Sequence, residues 1–447
     1  MFLKKIKLGV VLFSSLAALY ACGDGGKSSN NEIVFWHSFS GGLGNELNAI
    51  IDDFNQANPD IKVKAINKGS YDDALNAGIA AVRSNNAPDI LQVFEVGTAT
   101  MMYSGNIIKP VSQLMEEVGI PFNSSDFVDA VAAYYSDNNG RLVSMPFNSS
   151  TAVFYYNKDA FRNIGLDPNR PPKTFEEVQE IAKQLVTNKN SGVNCGVTVT
   201  WPAWILLETG SARNNTPYAN KNNGFGGIDA RISFDYPYYV RILTDLSEMS
   251  KDRSFVYGGR GDRANELFTT EQCAMLLDSS GNYSDIKANS KFSFGVATIP
   301  YYASIEGAPQ TGIIGGASLW VFNGKSEAKY RSIAKFLKYL SSPKVMAQWH
   351  QKTGYVPVTK AAYALTKEQG YYDSNPDAEV PIQYLNSNPN GKKLGIRLGN
   401  LPAIRDIEQA EMEKVFDYKL TPQEALSHMQ EKANKKLEEF EKNHQSF

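Results

Sequence analysis

The chain has 447 residues, 45 Lys and Arg against 47 Asp and Glu, with 42% hydrophobic and 21% charged residues. That composition excludes a disordered chain, a fibrous repeat and a disulfide-dense miniprotein, and the length supplies core for two or three domains. Near-balanced charge also excludes a nucleic-acid binder, which needs a basic surface to displace counterions.

Residues 1–21 combine Lys4, Lys5 and Lys7 with an apolar run, Leu8–Ala21, too short to span a bilayer. They read as a secretory signal peptide, set aside from fold reasoning. Leu19-Tyr20-Ala21-Cys22 resembles a lipoprotein cleavage box, although Tyr20 is bulkier than that pattern prefers. Lipidation of Cys22 would anchor the protein to a membrane from outside. Residues 22–31 are polar and glycine-rich, as a flexible tether should be. The expected location is periplasmic or otherwise extracytoplasmic. In such an oxidising compartment, Cys195 and Cys273 form an even pair, open either to a disulfide or to two separate buried thiols.

Ile33–Trp36 reads as a strand, followed by the turn Gly41-Gly42-Leu43-Gly44. Leu43, Leu47, Ile50, Ile51 and Phe54 then fall on one helical face, and Asn58-Pro59 stops the helix. Residues 61–65 alternate like a half-buried strand, 74–82 read as helix and 89–94 as a buried strand. This order predicts parallel pairing in an α/β sheet. Two later helices carry capping boxes, Thr174 with Glu177 and Thr421 with Glu424, and the second opens a long amphipathic C-terminal helix. Residues 211–227, dense in Asn and Gly, read as a loop excursion.

The chemistry of most enzyme classes is missing. The four histidines, His37, His350, His428 and His444, have no helical metal spacing. No GxSxG elbow or phosphate-binding glycine loop occurs. His37 and His350, each beside a Trp, read as packed structural residues. No catalytic residue, metal or cofactor is expected.

Phe154–Phe161, Gly165–Pro168, Pro172–Phe175, Asn86–Ile90 and Thr421–Leu426 together resemble the solute-binding proteins of ABC importers of the maltose-binding type. Narrower matches resemble the members of that family that carry glycerol phosphates. These are Phe35–Ser38, Gln92–Met102, Pro146–Ser150, Lys221–Phe225, Ile313–Trp320 and Trp349–Tyr355. The resemblance implies an α/β, two-lobed periplasmic-binding-protein fold (type II, maltose-binding-like) with a ligand cleft between the lobes. Lobe 1 is expected at 32–147 and 298–357, and lobe 2 at 148–297 and 358–447. Segment by segment, it implies a ligand site at Tyr71, Glu95, Ser150, Ser279, Gly316, Tyr355 and Arg405, with Trp201 and Trp204 as aromatic walls.

The implied ligand is sn-glycerol-3-phosphate or a glycerophosphodiester such as glycerophosphocholine. The implied partners are the membrane permease subunits of the importer, with the protein itself a monomer. On this reading Arg405 forks two phosphate oxygens, Ser150, Ser279 and the Gly316 amide take the rest, and Glu95 accepts from the glycerol hydroxyls. A malto-oligosaccharide ligand on the same fold, or an extracellular glycosidase or phosphodiesterase, are the alternatives.

Overall fold

A computed structural model describes residues 31–387 and 395–444. The expected signal peptide, Cys22 and nearly all of the tether lie outside the described residues.

Among the described residues nine strands form the frame: β1 (Glu32–His37), β2 (Lys62–Asn67), β3 (Ile90–Phe94), β4 (Ile108–Lys109), β5 (Met145–Asn157), β6 (Cys195–Val199), β7 (Cys273–Ser279), β8 (Phe294–Thr298) and β9 (Ile314–Phe322). Hydrogen bonding runs in the order β2-β1-β3-β9-β5-β7-β6, with β4 on β9 and β8 on β5. The expected parallel pairs are there, β1 with both β2 and β3. The sheet is nevertheless mixed, because β9 returns antiparallel to β3 and β5.

β5 joins the two lobes. All thirteen of its residues are buried. Met145–Thr151 pair with β9, whereas Ala152–Asn157 pair with β7 and β8. One strand thus changes sheets at Thr151–Ala152. Residues 148–151 belong with the first sheet, and Thr298, paired with Val153, stays with the second, so the return to the first sheet falls at β9. Val358 also remains with the first lobe, its carbonyl accepting from the Val128 amide.

The helices follow their patterns. α1 (Gly41–Ala57) buries Leu47, Ile50, Ile51 and Phe54 and ends at Asn58. α2 (Tyr71–Arg83) begins three residues earlier than the apolar spacing suggests, because Ser70 and Asp73 form a reciprocal capping box. Both expected boxes form: Thr174 with Glu177, and Thr421 with Glu424. The loop 211–227 owes its path to Asn215, Asn222 and Asn223, which take left-handed backbone that asparagine tolerates. Two cores result. Phe35, Phe54, Phe336 and Trp349 pack beneath the first sheet, and Leu185, Tyr238 and Ile242 pack against the second.

Cys195 and Cys273 are bonded, joining β6 and β7 where they stand opposite each other, which settles the choice left open by their number. The bond closes a sequence separation of 78 residues. Replacing both cysteines by Ser should therefore cost about 2–4 kcal/mol, chiefly by freeing the unfolded chain. Urea melts of wild type and the double variant under non-reducing conditions test this, and coincident curves would refute it.

Candidate functional site

The strands deliver a cleft at their ends. Ser38–Ser40 follow β1, Asn67 ends β2, Glu95 follows β3, Trp201 follows β6, and Ser279 ends β7. With Tyr71, Trp204, Asn282, Tyr355 and Arg405 they line a cavity of about 390 Å³. In open α/β sheets, ligands bind in such crevices beyond the strand ends. All nine residues named from the sequence, Tyr71, Glu95, Ser150, Trp201, Trp204, Ser279, Gly316, Tyr355 and Arg405, line this one cavity.

Its floor follows strand order. Glu95 lies beyond β3, Gly316 in β9, Ser150 in β5 and Ser279 at the end of β7. With strands about 4.8 Å apart, Glu95 and Ser279 are three steps, on the order of 14 Å, from each other along the backbone. Gly316 has φ +84°, and a Cβ there would overlap the Asn148 carbonyl oxygen, so the floor is bare backbone at this point. Between adjacent serines, Ser279 faces the cleft, whereas Ser280 is wholly buried beneath it, its hydroxyl accepting from the Thr151 amide.

One side of the cleft is a field of neutral hydroxyls. The Gln92 side chain accepts from the Ser38 amide and donates to Asn148 Oδ1 at 2.9 Å. Asn148 in turn donates to the Tyr71 hydroxyl at 3.0 Å, which stands 3.5 Å from that of Tyr355. Tyr71 stacks on Phe94 and Tyr355 on Trp349. His350 props Tyr355 from behind. Its Nδ1–H donates to the Tyr355 carbonyl at 2.6 Å, leaving Nε2 to accept from the Tyr372 hydroxyl at 2.8 Å. His37 is buried likewise, its Nδ1 accepting from the Phe39 amide.

The other side is ionic. Arg405 donates from Nη2 to Glu95 at 2.6 Å, and from Nε and Nη2 to the two oxygens of Glu208 at 2.6 and 2.9 Å. Its partners are these distant carboxylates and not Asp406 or Glu408, its acidic neighbours along the chain. The open two-nitrogen fork expected of Arg405 is therefore corrected. Glu208 fills that edge, and Nη1 is the remaining corner. Nor do Glu95 and Arg405 stand at opposite ends of the cleft, since they touch.

Burial opposes charge on Arg405, but Glu208 and Glu95 outweigh it and hold the guanidinium protonated. Burial foremost raises the Glu95 carboxyl; Arg405 opposes this, and Glu208 adds to it. Glu408, wholly buried behind, accepts from the Tyr218 hydroxyl, and burial reinforced by Glu208 pushes its carboxyl well up. Arg397, eight residues before Arg405 in the chain, instead donates to the Tyr134 and Ser136 carbonyls and lies over Phe225.

Trp201 and Trp204 close the second-lobe side. Trp201 has φ +45°, a conformation rare outside glycine, and opens the π-helical segment Ala203–Thr209 that carries both Trp204 and Glu208. Strain and π-helical turns concentrate at functional sites. Trp204 is 5% exposed, so it is a buried wall, and its ring fills the space a side chain at Gly315 would occupy. Sequence reasoning missed Glu208, Asn148 and Asp262. The only local signal for Glu208 is a lone carboxylate ending the apolar run Trp204–Leu207.

Residues 49–380 match the family described as bacterial extracellular solute-binding proteins. The chain belongs to that family. Among its relatives, the sn-glycerol-3-phosphate-binding periplasmic protein UgpB of Salmonella paratyphi A is 51% identical over 412 residues, 92% of this chain and 93% of that protein. The protein of the same name from Escherichia coli K12 is 50% identical over 416 residues, 93% and 94% respectively. The fold is similar to that of UgpB from Mycobacterium tuberculosis in complex with glycerophosphocholine. There the TM-score is 0.76 at 24% identity, covering 91% of this chain and 98% of that one. It is also similar to maltose-bound MalE3 of Thermotoga maritima, with TM-score 0.72 at 18% identity and coverage of 92% and 99%.

His37 and His350 carry a stability consequence. Burial lowers both imidazoles from 6.5 to about 4. The unfolded chain thus takes up protons between pH 6.5 and 4 that the folded chain refuses, and stability should fall as pH drops through that window. His350→Gln, which cannot titrate, should show a smaller loss of Tm between pH 7 and pH 5 than wild type. Parallel Tm-against-pH curves would sink this account.

Proposed function

We propose that this protein is the substrate-binding component of an ABC importer and captures sn-glycerol-3-phosphate, together with glycerophosphodiesters such as glycerophosphocholine. It works outside the cytoplasmic membrane, as a monomer, delivering ligand to the membrane permease by closure of the lobes. Residues 1–21 are its export signal and Cys22 its lipid attachment site. It returns the ligand unchanged. Among the described residues no histidine hydrogen-bonds to Ser150 or Ser279, and His37 and His350 are engaged in packing and backbone support.

The observation that carries the reading is the division of one cleft into a neutral-hydroxyl side and an ion-paired side. A phosphate suits the hydroxyl side, where Ser150, Ser279, Tyr71 and Tyr355 converge beside the bare Gly316 backbone. The glycerol diol suits the ionic side, where Glu95 accepts from hydroxyls and Nη1 of Arg405 donates to them. The reverse placement sets a dianion against two carboxylates sharing one guanidinium. Trp201 and Trp204 cover the carbon chain. Beyond them, Asp72, Asp262 and Asp406 line an adjoining chamber of about 320 Å³. A diester's second alcohol has room there, where the aspartates and aromatic faces stand beside Arg260, Arg263 and Arg405.

Tryptophan-fluorescence titration of the mature protein should give saturable changes with glycerol-3-phosphate and glycerophosphocholine and none with maltose. A response to maltose alone would overturn the ligand assignment. Arg405→Lys, which cannot hold Glu95 and Glu208 in the same plane, should weaken both phosphate ligands roughly tenfold or more. Unchanged affinity would remove Arg405 from the site.

A further inference from the structure

The ionic side contains a residue that the ligand does not reach. Glu208 is 2% exposed and absent from the cavity wall, yet it takes the Nε–Nη2 edge of Arg405 with both oxygens. Two consequences follow from that geometry. The guanidinium plane is fixed, because a bidentate carboxylate leaves it no rotation. The charge of Arg405 is also spent twice, once on Glu208 and once on Glu95, so two carboxylates meet one cation at this end of the cleft. A bare arginine would welcome any anion. This one offers only its Nη1 corner beside a carboxylate that accepts hydrogen bonds, a pairing that fits an alcohol and opposes a negative group.

We propose that Glu208 is a specificity-determining positioning residue: by neutralising and orienting Arg405 from behind, it makes this end of the cleft select an uncharged hydroxymethyl group and reject a carboxylate in its place. The inference rests on the glycerol-phosphate reading and on the diol lying at Glu95 and Arg405.

The discriminating pair of ligands is sn-glycerol-3-phosphate and 3-phosphoglycerate, which differ by a carboxylate in place of the terminal CH2OH. Calorimetric titration of the mature wild-type protein should favour the former at least hundredfold. Glu208→Gln keeps the shape and removes the charge; it should weaken glycerol-3-phosphate and strengthen 3-phosphoglycerate, lowering the preference tenfold or more. Glu208→Asp retains the charge and should retain most of the preference. A merely structural Glu208 would weaken both ligands in proportion and leave the ratio where it was, which would overturn the proposal. So would a wild-type protein that binds both equally, a result obtainable even if Glu208→Gln fails to fold. Wild type that binds neither phosphate ligand would instead overturn the ligand assignment itself.

Discussion

One buried strand holds the molecule's function in place. β5 serves two sheets in succession, so the polar residues it carries across the join, Asn148, Ser149, Ser150 and Thr151, have no exposed position to retreat to. Three of them find a partner or face the cleft, whereas the Ser149 hydroxyl is buried without a hydrogen-bond partner. Asn148 joins Gln92 and Tyr71, and Thr151 donates to the Ile313 carbonyl. Ser150 faces the cleft. The crossing that connects the lobes therefore also plants hydroxyl chemistry at the midpoint between them, and the strand ends on either side add the remaining walls.

The ionic side of the cleft is poor value as a stabilising device. Burying an arginine with two carboxylates costs several kcal/mol of desolvation per charge, which Coulomb attraction repays only when geometry is excellent. Here the geometry is excellent and the count is still uneven, with a further carboxyl, Glu408, stacked behind. Apolar residues of similar volume would pack as well. The same unevenness makes sense where a hydroxyl-bearing ligand must be told from an anionic one, since discrimination comes from what a site repels as much as from what it attracts.

Much of this was legible in the sequence, and the parts that were not share a cause. The strand and helix order of the first lobe followed from periodicity, and two capping boxes fixed helix starts. α2 began early because its box uses Ser and Asp, which apolar spacing does not register. All nine cleft residues could be named segment by segment, because each lies in a stretch that resembles a family pattern. What could not be read was which charges neutralise which. Arg405 pairs with Glu95, 310 residues away, and with Glu208, 197 away, and not with Asp406 or Glu408 in its own helix. Residue identity gave the donors; only the fold reveals that the fork of Arg405 is filled.

The hydroxyls of Tyr71, Tyr355, Ser150 and Ser279 share a property that a guanidinium lacks. Each is a rotor that donates or accepts according to what it meets, whereas an arginine only donates. A phosphate monoester loses its second proton near pH 6, and a diester never carries the second charge at all. A cleft floor made of reversible rotors can follow either change by turning a few O–H bonds, with no ion pair to break and no side chain to move. The protein can thus meet its ligand in whatever ionisation state the outside of the cell imposes.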